Sequence, residues 1–199
     1  MNIGVIGAGG IGRAFAGHAA KAGYEVIISN SRGADSLAAA AKELGPRVEA
    51  GTREQAAKAD VVFISVPWDQ VHAALDNLPA WNGRVVIDAT NPVLQPGFRL
   101  AELNGSTSSE VVASLVPGAR VVKTANTLLR DVLAADPRQN GGRRVLFMSG
   151  NDADAKGQVK AIFEKAGFAM VDLGALAIGG RLQQFPGGPL PTLNLIMLD

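Results

Sequence analysis

Hydrophobic positions along the chain fall into short uninterrupted runs separated by longer stretches with helical spacing. Apolar runs at residues 3–6, 25–29, 61–66, 84–88, 120–123, 145–148 and 169–172 read as strands, with a weaker one at 47–50. Strands buried on both faces give runs of this kind, whereas strands with one wet face alternate. Between them, residues 12–22, 35–44, 52–58, 68–78, 109–116, 127–134 and 152–165 follow a helical period. Several of these carry boundary signals. Asn151-Asp152 precede the last helix and Gly167 follows it, and SSEVVASLVPG opens on Ser-Ser-Glu and closes on Pro-Gly. Strands alternating with helices predict an α/β fold, a doubly wound, mostly parallel sheet covered on both faces.

Three stretches depart from this rhythm. Residues 90–109 form a long segment with two prolines and two glycines, and loops of that length tend to be functional. Residues 136–142, DPRQNGG, read as a plain surface turn. The final segment, GGRLQQFPGGPLPTLNLIMLD, is rich in glycine and proline and then strongly apolar. It is expected to pack over the functional edge of the sheet or against a partner subunit. The organisation expected is a nucleotide-binding domain over residues 1–150 and a small C-terminal extension over residues 151–199, packed on the same sheet at the substrate side.

Composition narrows the function classes. At 199 residues the chain can bury a sizeable core without disulfides or metals. A net charge of +1 gives no reason to expect nucleic acid or an anionic membrane surface as partner. The absence of cysteine removes disulfide frameworks, thiolate metal sites and thiol redox chemistry, and two scattered histidines make no metal site. No run approaches the roughly 18 to 20 apolar residues of a membrane helix. MNIGVIGAGGIG lacks the basic, apolar and small-residue order of a signal peptide. The expectation is a cytoplasmic protein with no nucleic-acid or membrane partner.

The first strand runs into Gly7-x-Gly9-x-x-Gly12, followed by an alanine-rich helix and a second strand. Strand, glycine turn, helix and strand together form the context that makes this pattern a dinucleotide fingerprint. Gly7 makes the tight turn, Gly9 lets backbone approach a pyrophosphate, and Gly12 lets helix and strand pack closely. Gly10 and Ile11 lie in the same turn and are expected to contact the cofactor, and the helix N-terminus that follows offers free N–H groups to phosphate. In folds of this kind the second strand ends in a carboxylate that binds the adenosine ribose hydroxyls and selects NAD. Here, roughly 20 residues after the glycines, stand Asn30-Ser31-Arg32 with no acid. A hydroxyl and a guanidinium suit a 2′-phosphate that a carboxylate would repel, so NADP(H) is expected over NAD(H).

With these motifs in place, the chain resembles the NADP oxidoreductases dependent on the 5-deazaflavin coenzyme F-420 and their bacterial relatives of unassigned substrate. The stretches that carry the resemblance are IGVIGAGGIG, SNSRG, VFISVPWDQV, GSTSSEVVASLVPGARVVKTANTLL and GGRLQQFPGGPLPTLNLI. The reductase domain of the Steap metalloreductases is similar at lower specificity. The resemblance implies a Rossmann domain with a small C-terminal part, usually dimeric, with NADP across the strand ends. It further implies that Ser31 and Arg32 hold the 2′-phosphate and that Val66, Pro67 and Trp68 contact the cofactor. Archaeal members with deazaflavin activity tend to carry threonine where this chain has Gly9, and a His-Thr pair where it has Asn126-Thr127.

Other candidates rest on position. Pro67 and Trp68 suit either a helix start and core packing or a cofactor contact at a strand end. Thr90 and Asn91 can hydrogen-bond the nicotinamide ribose or amide, with Pro92 stiffening the exit. Asn126 and Thr127 are expected to face the substrate, as Arg181 and Gln184 could from the last segment. Lys123-x-x-Asn126 is reminiscent of the 3-hydroxyacid dehydrogenases, where the lysine donates a proton, yet a structural lysine at a sheet end is the favoured reading. No catalytic residue is assigned. His18 reads as structural, His72 lies near the VPW turn without an assigned role, and Asp152 and Asp154 read as helix-capping charges. The expected activity is hydride transfer between NADP(H) and a small-molecule acceptor of deazaflavin or flavin type. The alternatives are an NADPH-binding sensor without turnover and an NADPH-dependent imine or keto reductase.

Overall fold

The computed structural model describes residues 1–198. In chain order these form β1 (Asn2–Ile6), α1 (Gly10–Lys21), β2 (Glu25–Ser29), α2 (Ala38–Leu44), β3 (Val48–Ala50), α3 (Arg53–Ala57), β4 (Val61–Ile64), α4 (Val71–Leu75) and β5 (Val85–Asp88). They continue with β6 (Val93–Leu94), β7 (Arg99–Leu100), α5 (Ser108–Leu115), β8 (Arg120–Thr124), α6 (Arg130–Ala134), β9 (Arg138–Gln139) and β10 (Gly142–Gly150). The last elements are α7 (Ala153–Lys165), β11 (Ala169–Asp172), α8 (Leu176–Leu182) and β12 (Ile196–Leu198).

The main sheet runs in the order β11-β10-β8-β5-β4-β1-β2-β3. From β3 to β8 all neighbours are parallel, and β10 then pairs antiparallel to β8 and parallel to β11. β11 lies in the same sheet as the glycine-turn half, so residues on either side of position 150 share one hydrogen-bonded sheet. The doubly wound, mostly parallel α/β architecture is the one that the apolar runs predict.

Alternation along each strand divides the core between the two faces. Ile3 and Val5 of β1, Val61 and Phe63 of β4, and Val85 and Ile87 of β5 join one cluster with α1, α2 and α7. Their neighbours Ile6, Val62, Ile64 and Val86 join the other, with α3, α4, α5 and α8. Phe15 of α1 stacks on Phe63 with ring centroids 4.0 Å apart. His18, read as structural, is buried against Leu133, its Nε2 2.7 Å from that carbonyl oxygen.

Differences from the sequence reading have local causes. α1 starts at Gly10, inside the glycine motif, because Gly9 adopts the extended N-cap conformation. The strand expected over 61–66 ends at Ile64, where the chain turns into the cleft described below. The helix expected over 127–134 starts only at Arg130, since Thr127 and Leu128 are buried in a bend and Leu129 is the extended N-cap. The long segment 90–109 contains the small hairpin β6–β7, and Thr107 with Glu110 closes a capping box that starts α5. The final segment holds α8 and β12. Its Gly179-Gly180 pair lies inside α8, where a Cβ on Gly179 would strike Ser149 and one on Gly180 would stand 3.0 Å from Thr107 Cβ. The pair is what lets α8 lie that close to β10 and the start of α5.

Candidate functional site

The strand order reverses between β1 and β4, and in open α/β sheets that switch point is where ligands bind, at the carboxyl ends of the strands. Ser65 N donates to Ile6 O at 2.9 Å there, which holds the two strand ends together. Gly7 turns at φ 101°, a left-handed conformation, with its missing side chain directly over the Ser65 carbonyl. A Cβ would collide with that carbonyl, so both space and conformation demand glycine. Gly7 N and Ala8 N both donate to Ser29 O at 3.0 Å, so β2 fixes the turn from the other side.

A cleft of about 550 Å³ opens over this junction, lined by Gly7, Ala8 and Gly9, by Asn30 to Gly33, by Thr52 to Glu54, and by Ser65, Val66 and Pro67. A Cβ on Gly9 would meet nothing within 4 Å, so the turn presents bare backbone to open space. The α1 N-terminus has no side-chain cap and no acidic residue in its first turn. Its free N–H groups and positive dipole end are thus available to an anion. These residues fit a dinucleotide pyrophosphate.

The end of β2 is shaped by Asn30. Its Oδ1 accepts from Arg32 N at 2.9 Å, its Nδ2 donates to Ser36 Oγ at 3.0 Å, and Ser36 Oγ donates to Gly33 O at 2.7 Å. Asn30 therefore builds the turn, and Ser31 and Arg32 project from it into solvent beside the cleft. Val66 and Pro67 reach the cleft wall. Trp68 falls outside that wall and packs half-buried on the apolar cluster under α3, α4 and α5.

At the ends of β5 and β8 the polar residues are knotted to one another. Lys123, fully buried, donates to Thr90 O at 3.0 Å and Ser108 Oγ at 3.1 Å and lies 3.5 Å from Asp88 Oδ2. Asp88 in turn accepts from Thr90 N, Thr90 Oγ1 and Ser109 Oγ at 2.8, 2.7 and 2.5 Å. Burial pushes the Lys123 ammonium below the usual lysine range, and the facing Asp88 carboxylate opposes that shift. Lys123 is thus enclosed by protein partners at the sheet end.

Asn126 is 6% exposed, and its Nδ2 donates to Asn91 Oδ1 at 2.9 Å and Gln183 O at 2.7 Å. Asn91 Nδ2 returns a bond to Asn126 O at 3.0 Å, and Gln183 Nε2 donates to Asn126 Oδ1 at 3.3 Å and Phe147 O at 3.1 Å. The Asn126 amide is thus already committed inside the protein, which differs from the expectation that it faces the substrate. Thr127 is buried too, its carbonyl accepting from Thr192 N at 2.7 Å. Pro92 is buried, with its carbonyl accepting from Ala101 N at 2.8 Å. Arg181 is exposed and donates to Gly105 O at 2.7 Å, tying the last segment to the loop before α5, whereas Gln184 donates to Pro186 O at 3.3 Å within the segment itself. Two residues of this knot were missed by the sequence reading. Gln183 carried no motif, and Ala125 holds φ 59° while buried, a strain that only the bonded flanks sustain.

Residues 2–92, which contain the whole cleft, match the family described as NADP oxidoreductase, coenzyme F420-dependent. A hypothetical protein from Sinorhizobium meliloti is 45% identical, with a TM-score of 0.93 over 99% of this chain and 96% of that one. A protein from Arthrobacter sp. FB24, provisionally assigned as an F420-dependent NADP-reductase, is 31% identical, with a TM-score of 0.77 over 88% and 86%. The chain belongs to the F420-dependent NADP oxidoreductase family. More distantly, metalloreductase STEAP3 of Rattus norvegicus is 27% identical over 96% of this chain. The chain spans a little over a third of the curated relatives it matches, 37% in that case. The family is one of NADP-dependent oxidoreductases, and the matched residues contain the glycine turn and the cleft over it. Among the described residues no helix is long and apolar enough to cross a membrane.

Proposed function

We propose that the protein binds NADP(H) across the glycine turn and transfers hydride between it and a small-molecule acceptor of deazaflavin or flavin type. The observation that carries the reading is the cleft over the β1–β4 switch point, where an uncapped helix N-terminus and bare glycine backbone meet the exposed Ser31-Arg32 pair. In this reading Gly7, Gly9, Gly10 and Ile11 cradle the pyrophosphate. Asn30 sets the turn from which Ser31 and Arg32 grip the 2′-phosphate, and Val66 and Pro67 wall the path toward the nicotinamide.

The cofactor, when bound, supplies the hydride chemistry, and the chain supplies position. A deazaflavin or flavin acceptor asks little of the protein as an acid. The polar groups nearest the far end of the sheet support that choice, because Lys123 is enclosed by Thr90, Ser108 and Asp88 and has no free path to a substrate. This also weighs against an imine or keto reductase, which needs a proton donor. A second copy of the chain as partner and a cytoplasmic location belong to the same proposal.

The test uses the purified chain with NADPH and, in separate reactions, coenzyme F420, FMN and FAD, following absorbance at 340 nm. Turnover with the deazaflavin or a flavin supports the reading. Tight NADPH binding with no turnover on any of them overturns the acceptor assignment and favours a sensor.

A further inference from the structure

Arg13 lies one position after the last glycine of the turn, where an arginine on a helix normally reads as a solvated surface charge. Its setting is different. Its Nε donates to Ala8 O at 3.0 Å, so the guanidinium is folded back from α1 onto the glycine turn. Ala8 is itself anchored, its N–H donating to Ser29 O at 3.0 Å, so the docking point is held in place. The Arg13 side chain is half-buried and makes no ion pair among the described residues. With Nε committed, the two terminal amino groups remain.

They border a groove of about 690 Å³ on the outer side of the turn, whose lining includes Gly9, Gly10, Arg13, Lys21, Arg32 and Arg130. Its two carboxylates are Asp131, engaged by Arg130 at 2.7 Å, and the exposed Glu43. Arg32 lines both this groove and the cofactor cleft, as do Ala8 and Gly9, so the two spaces meet at the end of β2. A cationic corner is therefore built from two directions, by Arg32 projecting from the β2 turn and by Arg13 held against Ala8.

We propose that Arg13 is a second specificity-determining residue, completing with Arg32 a two-arginine clamp on the 2′-phosphate of NADP(H). The inference rests on the NADP reading above and deepens it. A phosphate monoester carries nearly two negative charges at neutral pH. One exposed guanidinium leaves part of that charge to solvent, whereas two planar forks can share its three outer oxygens. The Nε–Ala8 bond fixes the guanidinium of Arg13 before ligand arrives, which lowers the ordering cost of binding.

Fluorescence titrations of NADPH and NADH on the wild-type chain, Arg13→Gln and Arg13→Lys test this, with thermal melts as the folding control. Arg13→Gln should raise the NADPH Kd about tenfold to a hundredfold and change the NADH Kd less than about twofold. Arg13→Lys, which keeps the charge and loses the fork, should fall between. On the wild-type chain, NADPH but not NADH should protect Arg13 from phenylglyoxal modification, read by mass spectrometry, which needs no variant to fold. Equal weakening of both ligands, or no weakening, or protection by both ligands, overturns the clamp while leaving the NADP assignment standing. A wild-type chain that binds NADH as tightly as NADPH overturns both.

Discussion

At the end of β2 beside the cleft, Ser31 and Arg32 stand in solvent on a turn drawn by Asn30, and the α1 N-terminus has no side-chain cap. At the ends of β5 and β8, Asp88, Thr90, Ser109, Lys123, Asn126 and Gln183 are buried and bonded to each other. Among the described residues no buried side-chain nitrogen or oxygen lacks a partner. Both regions are polar and both sit at strand ends, yet their polar groups do different work. Donors in the first are exposed and open to solvent, and spent donors in the second hold the strand ends in register. Polar character at a strand end therefore does not by itself mark a contact. What distinguishes a binding group is whether its hydrogen bonds are already made.

Mutations should separate the two regions by what they change. The largest effect is expected for Lys123→Met, which strands the Asp88 carboxylate in the core and should cost about 3–5 kcal/mol in denaturant unfolding. A variant that keeps full stability but loses turnover would return Lys123 to the reaction and erase the distinction. For Arg32→Ala the expected loss is about 1.5–3 kcal/mol of NADPH binding, with NADH binding unchanged and stability within about 0.5 kcal/mol, by titration and melt. Asn126→Ala should do the reverse, lowering stability by about 1–3 kcal/mol by orphaning Asn91 and Gln183. The NADPH Kd of the folded fraction should stay near wild type, and a large Kd change without destabilisation would contradict the knot.

His18 gives the smallest and most pH-dependent effect. Burial holds its imidazolium pKa below the ordinary 6.5, outweighing the Leu133 carbonyl bond that raises it. The unfolded chain then binds the proton more readily than the folded one. Stability should be full above pH 6.5, fall as the pH drops below it, and level off below the depressed folded value. His18→Gln should flatten this dependence in melts from pH 7.5 to 5, and an unchanged slope would place the titrating group elsewhere.

Much of the first region is written in contiguous residues. The glycine turn needs Gly7 for a left-handed φ beside Ser65, and the β2 turn is made by Asn30, Arg32, Gly33 and Ser36 within seven positions. Local geometry follows from local sequence, so the tight turn at Gly7 was legible in the spacing of the glycines. The second region joins residues far apart, such as Asp88 to Lys123 and Asn126 to Gln183. Asn126 looked like a free donor because nothing near it in sequence shows the Gln183 that occupies it. Arg13 escaped notice for a different reason: its partner Ala8 is only five residues away, but the rotamer that folds the guanidinium back onto that carbonyl leaves no mark in the spacing.

By itself the sequence determined the apolar runs, their order, the glycine turn and the exposed Ser31-Arg32 pair, since each depends on chain conformation within one strand–turn–helix unit. The tertiary structure alone decided that β10 and β11 run against the other strands, that Gly179-Gly180 continues a helix, and which polar side chains remain free. Those outcomes depend on what packs opposite each residue, and burial partners separated by dozens of positions leave no periodic trace in the chain.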